Sequence, residues 1–80
     1  MSYFVYILEC SDSTLYTGIT KDVKKRLDEH NNSCKGAKYT KARRPVKLVY
    51  QEASENRSTA SKREYAIKQL TRKQKLDLMK

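Results

Sequence analysis

Tyr3-Phe4-Val5-Tyr6-Ile7-Leu8-Glu9-Cys10 and Leu15-Tyr16-Thr17-Gly18-Ile19 are two β-rich runs parted by Ser11-Asp12-Ser13. Aromatic and β-branched residues suit a pleated, half-buried surface, and a short Ser/Asp cluster between two such runs predicts a β-hairpin. Pairing Cys10 with Thr14 sets Leu8 opposite Tyr16 and Tyr6 opposite Gly18. Side chains alternate with a period of two, so in this register Tyr6 and Tyr16 are diagonal neighbours on one face. Gly18, lacking a side chain, then leaves open space over the sheet for a substrate backbone.

The rest of the chain can be placed around this hairpin. Thr20 is the expected N-cap of a helix running to about Asn31, with Asp22 in its first turn. Val23, Leu27 and His30 fall on one inward stripe, and Arg26 lies four residues before His30 on a neighbouring position. The stretch 33–45 is basic and irregular, with a helical turn near 38–43, and 46–51 reads as a third strand. A further helix is expected from Asn56 or Ser58 to about Leu70, with Ala60, Ile67 and Leu70 on its apolar face and Glu64 between them. Thr71-Arg72-Lys73-Gln74 matches a capping box and opens a short helix bearing Leu76 and Met79. The order β-β-α-β-α-α predicts an α+β fold, a small three-stranded antiparallel sheet flanked by helices. One domain spans 1–80, with its core at about 3–70 and a short C-terminal helix at 71–79.

Eighty residues leave no room for a second core, and 38% hydrophobic content is enough for a packed one. No apolar run approaches the ~20 residues of a membrane span, and the N-terminus lacks a signal-peptide pattern, so the cytoplasm is the expected compartment. Cys10 and Cys34 lack zinc-site spacing and read as free thiols. The net charge is +9. It is unevenly spread: residues 1–20 hold no lysine or arginine, whereas 31–50 hold Lys35, Lys38, Lys41, Arg43, Arg44 and Lys47 and no acid. Such clustering points to a polyanionic partner, nucleic acid before others.

Each chemistry-bearing residue has a plain reading. Tyr6 and Tyr16 suit strands, Arg26 suits a solvated helix, and His30 suits packing at a helix end. Glu64 is the sharpest exception, since a carboxylate on an apolar stripe is costly unless it is paired or holds a cation. Pairing with Arg63, Lys68 or Arg26, a stripe rotated enough to expose Glu64, and metal binding all fit the residues.

Taken in order, Tyr6, Tyr16, Gly18, Arg26, His30 and Glu64 resemble the GIY-YIG nuclease domain, in particular its small single-domain bacterial and archaeal members, over residues 3–70. Phe4 stands for the first glycine of the motif, Thr17 for its second isoleucine, and Ile19 where many members carry a basic residue. The resemblance implies a nuclease that hydrolyses DNA phosphodiesters with little sequence specificity and depends on one divalent ion, Mg²⁺ or Mn²⁺. It implies Tyr16 as the base for the attacking water, Tyr6 and His30 as its partners, Arg26 on the phosphate and Glu64 on the metal. Phenol is a weak base at its usual pKa of about 10, so cationic charge from Arg26 or the metal would have to stabilise phenolate. Gly18, Lys38, Lys41, Arg43 and Arg44 would contact the nucleic-acid backbone. The expected partner is DNA, branched or damaged DNA included, with RNA as the other candidate. The alternative is a catalytically weak nucleic-acid-binding module on the same fold.

Overall fold

The hairpin's turn sets its register. In the computed structural model, which describes residues 2–32 and 38–79, the Asp12 carboxylate accepts hydrogen bonds from the Thr14 amide at 3.1 Å and the Thr14 hydroxyl at 2.6 Å. Ser13 takes a left-handed backbone with φ 67°, and the Cys10 amide donates to the Thr14 carbonyl at 2.8 Å. An aspartate bonding two residues ahead replaces a strand contact with a local turn. Strands β1 (Tyr3–Glu9) and β2 (Leu15–Thr20) therefore pair with Tyr6 opposite Gly18 and Leu8 opposite Tyr16, as the turn chemistry predicts.

Strand β3 (Lys47–Ser54) pairs antiparallel on the other side of β1, giving the order β2-β1-β3 with one irregularity between Ile7 and Leu8. It starts one residue later and runs three further than the apolar run 46–51, because β1 offers partners out to Tyr3. β1 is thus the central strand, and its alternation feeds two cores. Val5 and Ile7 pack with Ala60 and Ile67 of helix α3 (Arg57–Lys68). Tyr6 and Leu8 point the other way, with Cys10 and Val46, against Val23 and Leu27 of helix α1 (Val23–Asn32). Each fully buried aliphatic side chain of this kind contributes about 1.5–3 kcal/mol.

Two helix starts follow the sequence closely. Asn56 caps α3 by accepting from the Thr59 amide at 2.9 Å. Thr71 and Gln74 form the reciprocal capping box of helix α4 (Arg72–Leu78), whose Arg72 also donates to the Ser13 carbonyl in the hairpin turn. Helix α1 differs. Its cap is Asp22, not Thr20: the Asp22 carboxylate accepts from the Lys25 amide at 3.0 Å, while the Thr20 hydroxyl accepts from the Asp22 amide at 3.2 Å. Asp22 is the residue whose side chain reaches the third helical amide. Helix α3 ends at Lys68, so Leu70 lies beyond it and is only partly buried. The helical turn expected near 38–43 forms as a short helix α2 (Lys38–Lys41). Cys34 and Lys35 lie outside the described residues, among which no helix is long and apolar enough to cross a membrane.

Candidate functional site

The site is built on the α1 face of the hairpin, with Tyr6 at its centre. The Tyr6 ring lies across Gly18, where an added Cβ would sit 2.5 Å from the Tyr6 hydroxyl oxygen and 2.7 Å from Cζ. The open floor expected beside Gly18 does not exist, because the Tyr6 phenol fills it. Glycine is needed here for that close approach.

The Tyr6 hydroxyl is 2.9 Å from His30 Nε2, and His30 Nδ1 is 2.8 Å from the hydroxyl of Thr40 on α2. His30 and Thr40 are both fully buried. Arg26 also hydrogen-bonds Tyr6 and pairs with Glu29 at 3.1 Å. Burial raises the Tyr6 pKa to about 12 against the lowering effect of Arg26. Burial, helped by the charges of Arg26 and Arg44, lowers His30 to about 4 although Glu29 opposes it. At neutral pH both groups are uncharged. Either imidazole tautomer serves the chain: one nitrogen donates and the other accepts. With both nitrogens engaged inside the protein, His30 positions Tyr6 and presents no free edge to a substrate.

Tyr16 has a different environment. Its ring meets His30 edge-on at 5.2 Å and stacks on Tyr39 at 6.0 Å, and the Arg43 guanidinium lies 4.0 Å from the centre of the Tyr39 ring. Its hydroxyl makes no hydrogen bond among the described residues. The Tyr16 pKa is raised: burial outweighs the lowering by Arg26, and the Glu64 charge adds to the rise. Arg26 therefore does not by itself turn Tyr16 into a phenolate.

Glu64 arrives from α3, the helix of the opposite core, and its charge raises both Tyr6 and Tyr16. Its side chain is 24% exposed and 3.7 Å from Lys68, so it sits at the margin of the apolar stripe between Ala60 and Ile67. Lys68 lies beside it, while Arg63 pairs with Glu52 at 2.9 Å.

The four basic residues expected to grip a backbone divide into two pairs. Lys38 and Lys41 are exposed on α2. Arg43 pairs with Asp12 at 3.1 Å and donates to the Tyr39 carbonyl at 2.9 Å. Arg44 donates to the carbonyls of His30 and Glu29, closing the C-terminal end of α1. Their guanidinium groups hold the segment after α2 in place. Sequence reasoning missed Tyr39, Thr40 and Glu29. The one available signal was an aromatic and a hydroxyl residue set between Lys38 and Lys41 in an otherwise basic stretch.

The buried His30 makes stability pH-dependent. In the unfolded chain a histidine titrates near 6.5, and in the fold His30 stays neutral until about 4. The unfolded state thus binds the proton first, and stability present above 6.5 is lost as pH falls toward 4. The loss due to His30 should reach about 3–4 kcal/mol, from about 1.4 kcal/mol per pKa unit. Urea melts across this window should show that fall in the unmodified protein, and a shallower one in His30→Gln.

Comparison with known proteins places this geometry. The family model of the GIY-YIG catalytic domain matches residues 2–77. A UPF0213 protein of Desulfotalea psychrophila is 60% identical over 79 residues, covering 99% of this chain and 72% of the relative. A UPF0213 protein of Staphylococcus aureus is 61% identical over 79 residues, covering 99% and 95%. Among solved structures, the solution NMR structure of an Enterococcus protein (E. faecalis EF2693) aligns with TM-score 0.67 at 47% identity, covering 99% of this chain and 83% of that one. The NMR structure of a UPF0213 protein from Bacillus halodurans aligns with TM-score 0.61 at 46% identity, covering 98% and 82%.

Proposed function

The chain belongs to the GIY-YIG catalytic-domain family, a nuclease-type family, and on that premise we propose that it is a divalent-metal-dependent endonuclease hydrolysing DNA phosphodiesters with little sequence preference. The observation that carries this reading is that the charges of Arg26 on α1 and Glu64 on α3 both act on the two phenols of the hairpin, Tyr6 on β1 and Tyr16 on β2.

Tyr16 would take the proton of the attacking water as a phenolate, having first lost its own proton to solvent, through an oxygen that has no hydrogen-bond partner among the described residues. Arg26, partly exposed and hydrogen-bonded to Tyr6, faces the phosphate and stabilises the charge that develops on its oxygens. Tyr6, fixed by His30 and Thr40, orients Arg26 and the phosphate. Glu64 is the residue that would hold a divalent ion. No cluster of three potential metal-ligating side chains exists among the described residues, and one carboxylate suits Mg²⁺ or Mn²⁺ that keeps most of its water. A bound divalent cation supplies positive charge beside the phenols and a Lewis acid for phosphate oxygens.

A second reading, a nucleic-acid-binding module with weak turnover, is favoured by one observation: burial raises the Tyr16 pKa despite Arg26. Incubation with branched, nicked and single-stranded DNA and with RNA, with and without Mg²⁺ or Mn²⁺, separates the two. Metal-dependent products establish the nuclease and rank its substrates. Binding without products leaves the module.

Lys38 and Lys41, exposed beside the site, are the strongest candidates for nonspecific backbone contact on α2. With about four phosphates neutralised, log K against log[salt] on duplex DNA should fall with a slope near −3.6. Exchanging both lysines for alanine should reduce that slope by about 1.8. Arg44→Ala should instead lower the melting temperature, since it uncaps α1. Fluorescence anisotropy over a salt series measures the slope.

A further inference from the structure

Five of the six tyrosines are tied into the fold. Lys21 lies 5.5 Å from the Tyr3 ring, Tyr6 bonds His30, Tyr16 stacks on Tyr39, and the Tyr50 hydroxyl donates to Glu52 at 3.1 Å. Tyr65 is the exception. It is 67% exposed and has no hydrogen-bond, ring or cation partner among the described residues. A single exposed aromatic is ordinary on a protein surface, so what distinguishes Tyr65 is the company it keeps.

Its surroundings are specific. Tyr65 follows Glu64 on α3, and Lys62 and Lys68 stand three residues to either side of it, both exposed. Residues three apart on a helix are surface neighbours. At about 100° per residue, the side of α3 leading outward from Glu64 carries Lys68, then Tyr65, then Lys62. The aromatic ring is thus bracketed by two cations on a strip that begins at the candidate metal residue. An unpaired nucleobase with its flanking phosphates has the complementary pattern, one π-face between two negative charges. A closed duplex offers no free base face to a ring standing on a helix surface.

We propose that the Lys62–Tyr65–Lys68 strip stacks an unpaired nucleobase next to the cleaved phosphate, which makes the substrate class DNA with a single-stranded or opened segment. The assignment rests on the nucleic-acid reading above and goes beyond it by specifying the substrate. The ring supplies a sequence-tolerant stack, and the lysines hold the phosphates on either side of the stacked base.

The test measures binding of the full chain, without divalent metal, to a single strand carrying a fluorescent base analogue and to the matched duplex. Binding to the single strand should change the analogue's emission through stacking. Tyr65→Ala should bind the single strand about 5- to 100-fold more weakly, the range for loss of one stacked base, with duplex affinity unchanged. Tyr65→Phe keeps the ring and should bind as the unmodified protein does. Equal losses on both DNAs, or no loss on the single strand, would overturn the assignment. So would self-association that vanishes in Tyr65→Ala without any effect on DNA, since the ring would then serve a second copy of the chain. Tyr65-dependent binding in a protein that cleaves nothing would support the strip and remove the nuclease reading. Cleavage of the single strand indifferent to Tyr65→Ala would do the reverse.

Discussion

A Tyr16→Phe protein should melt as the unmodified chain does and cleave about 10²–10⁴-fold more slowly, the usual loss for a well-placed proton-transfer group. The ring contacts survive the change: phenylalanine keeps the edge contact to His30 and the stack on Tyr39. The hydroxyl has no hydrogen-bond partner among the described residues, so its removal strands nothing. Tyr6→Phe is the informative contrast. It breaks the buried bond to His30 Nε2 and the bond to Arg26, so it should cost about 1–3 kcal/mol of stability as well as activity. Single-turnover cleavage with thermal melts on both variants separates chemistry from folding. Near-normal cleavage by Tyr16→Phe would move the proton-accepting role away from Tyr16.

The hairpin was legible because two independent signals constrain it. Strand periodicity fixes which residues share a face, and the Ser11-Asp12-Ser13 cluster fixes the turn length. The capping box at Thr71–Gln74 was legible because capping is local chemistry between residues a few positions apart, whereas the start of α3 was legible only as Asn56 or Ser58. Contacts across irregular chain were not. Nothing near Thr40 announces that its hydroxyl meets His30 ten residues earlier, because that contact depends on how the basic segment folds back. Charge was visible in the sequence, but partners were not: Arg43 and Arg44 count toward the net charge, yet the fold directs them to Asp12 and to helix carbonyls. Gly18 was read as empty space because a sequence cannot show that the Tyr6 ring leans over it. The Tyr16 shift failed to follow from Arg26 for a related reason. A nearby cation is visible in the sequence, whereas burial, the larger effect, exists only once the hairpin is covered.

Glu64→Gln should remove cleavage while leaving the fold almost untouched, and it should lower the pH at which Tyr6 and Tyr16 ionise. On the sequence alone, a carboxylate between Ala60 and Ile67 could be half of a buried ion pair, whose disruption costs about 3–5 kcal/mol. The geometry points elsewhere. A side chain 24% exposed and 3.7 Å from Lys68, four residues along the helix, belongs with surface pairs worth about 0.3–0.5 kcal/mol. The melting temperature without metal should therefore barely move. Glutamine preserves the volume and removes the charge that would hold Mg²⁺ or Mn²⁺, so cleavage should drop to background and stay there when either ion is raised moderately. The phenols provide a readout that does not depend on turnover. Glu64 raises both, so its neutral replacement should bring their ultraviolet tyrosinate titration to lower pH. Unchanged titration would mean that the Glu64 charge does not reach the phenols. A titration that shifts while cleavage persists would keep Glu64 in the site and take the metal away from it.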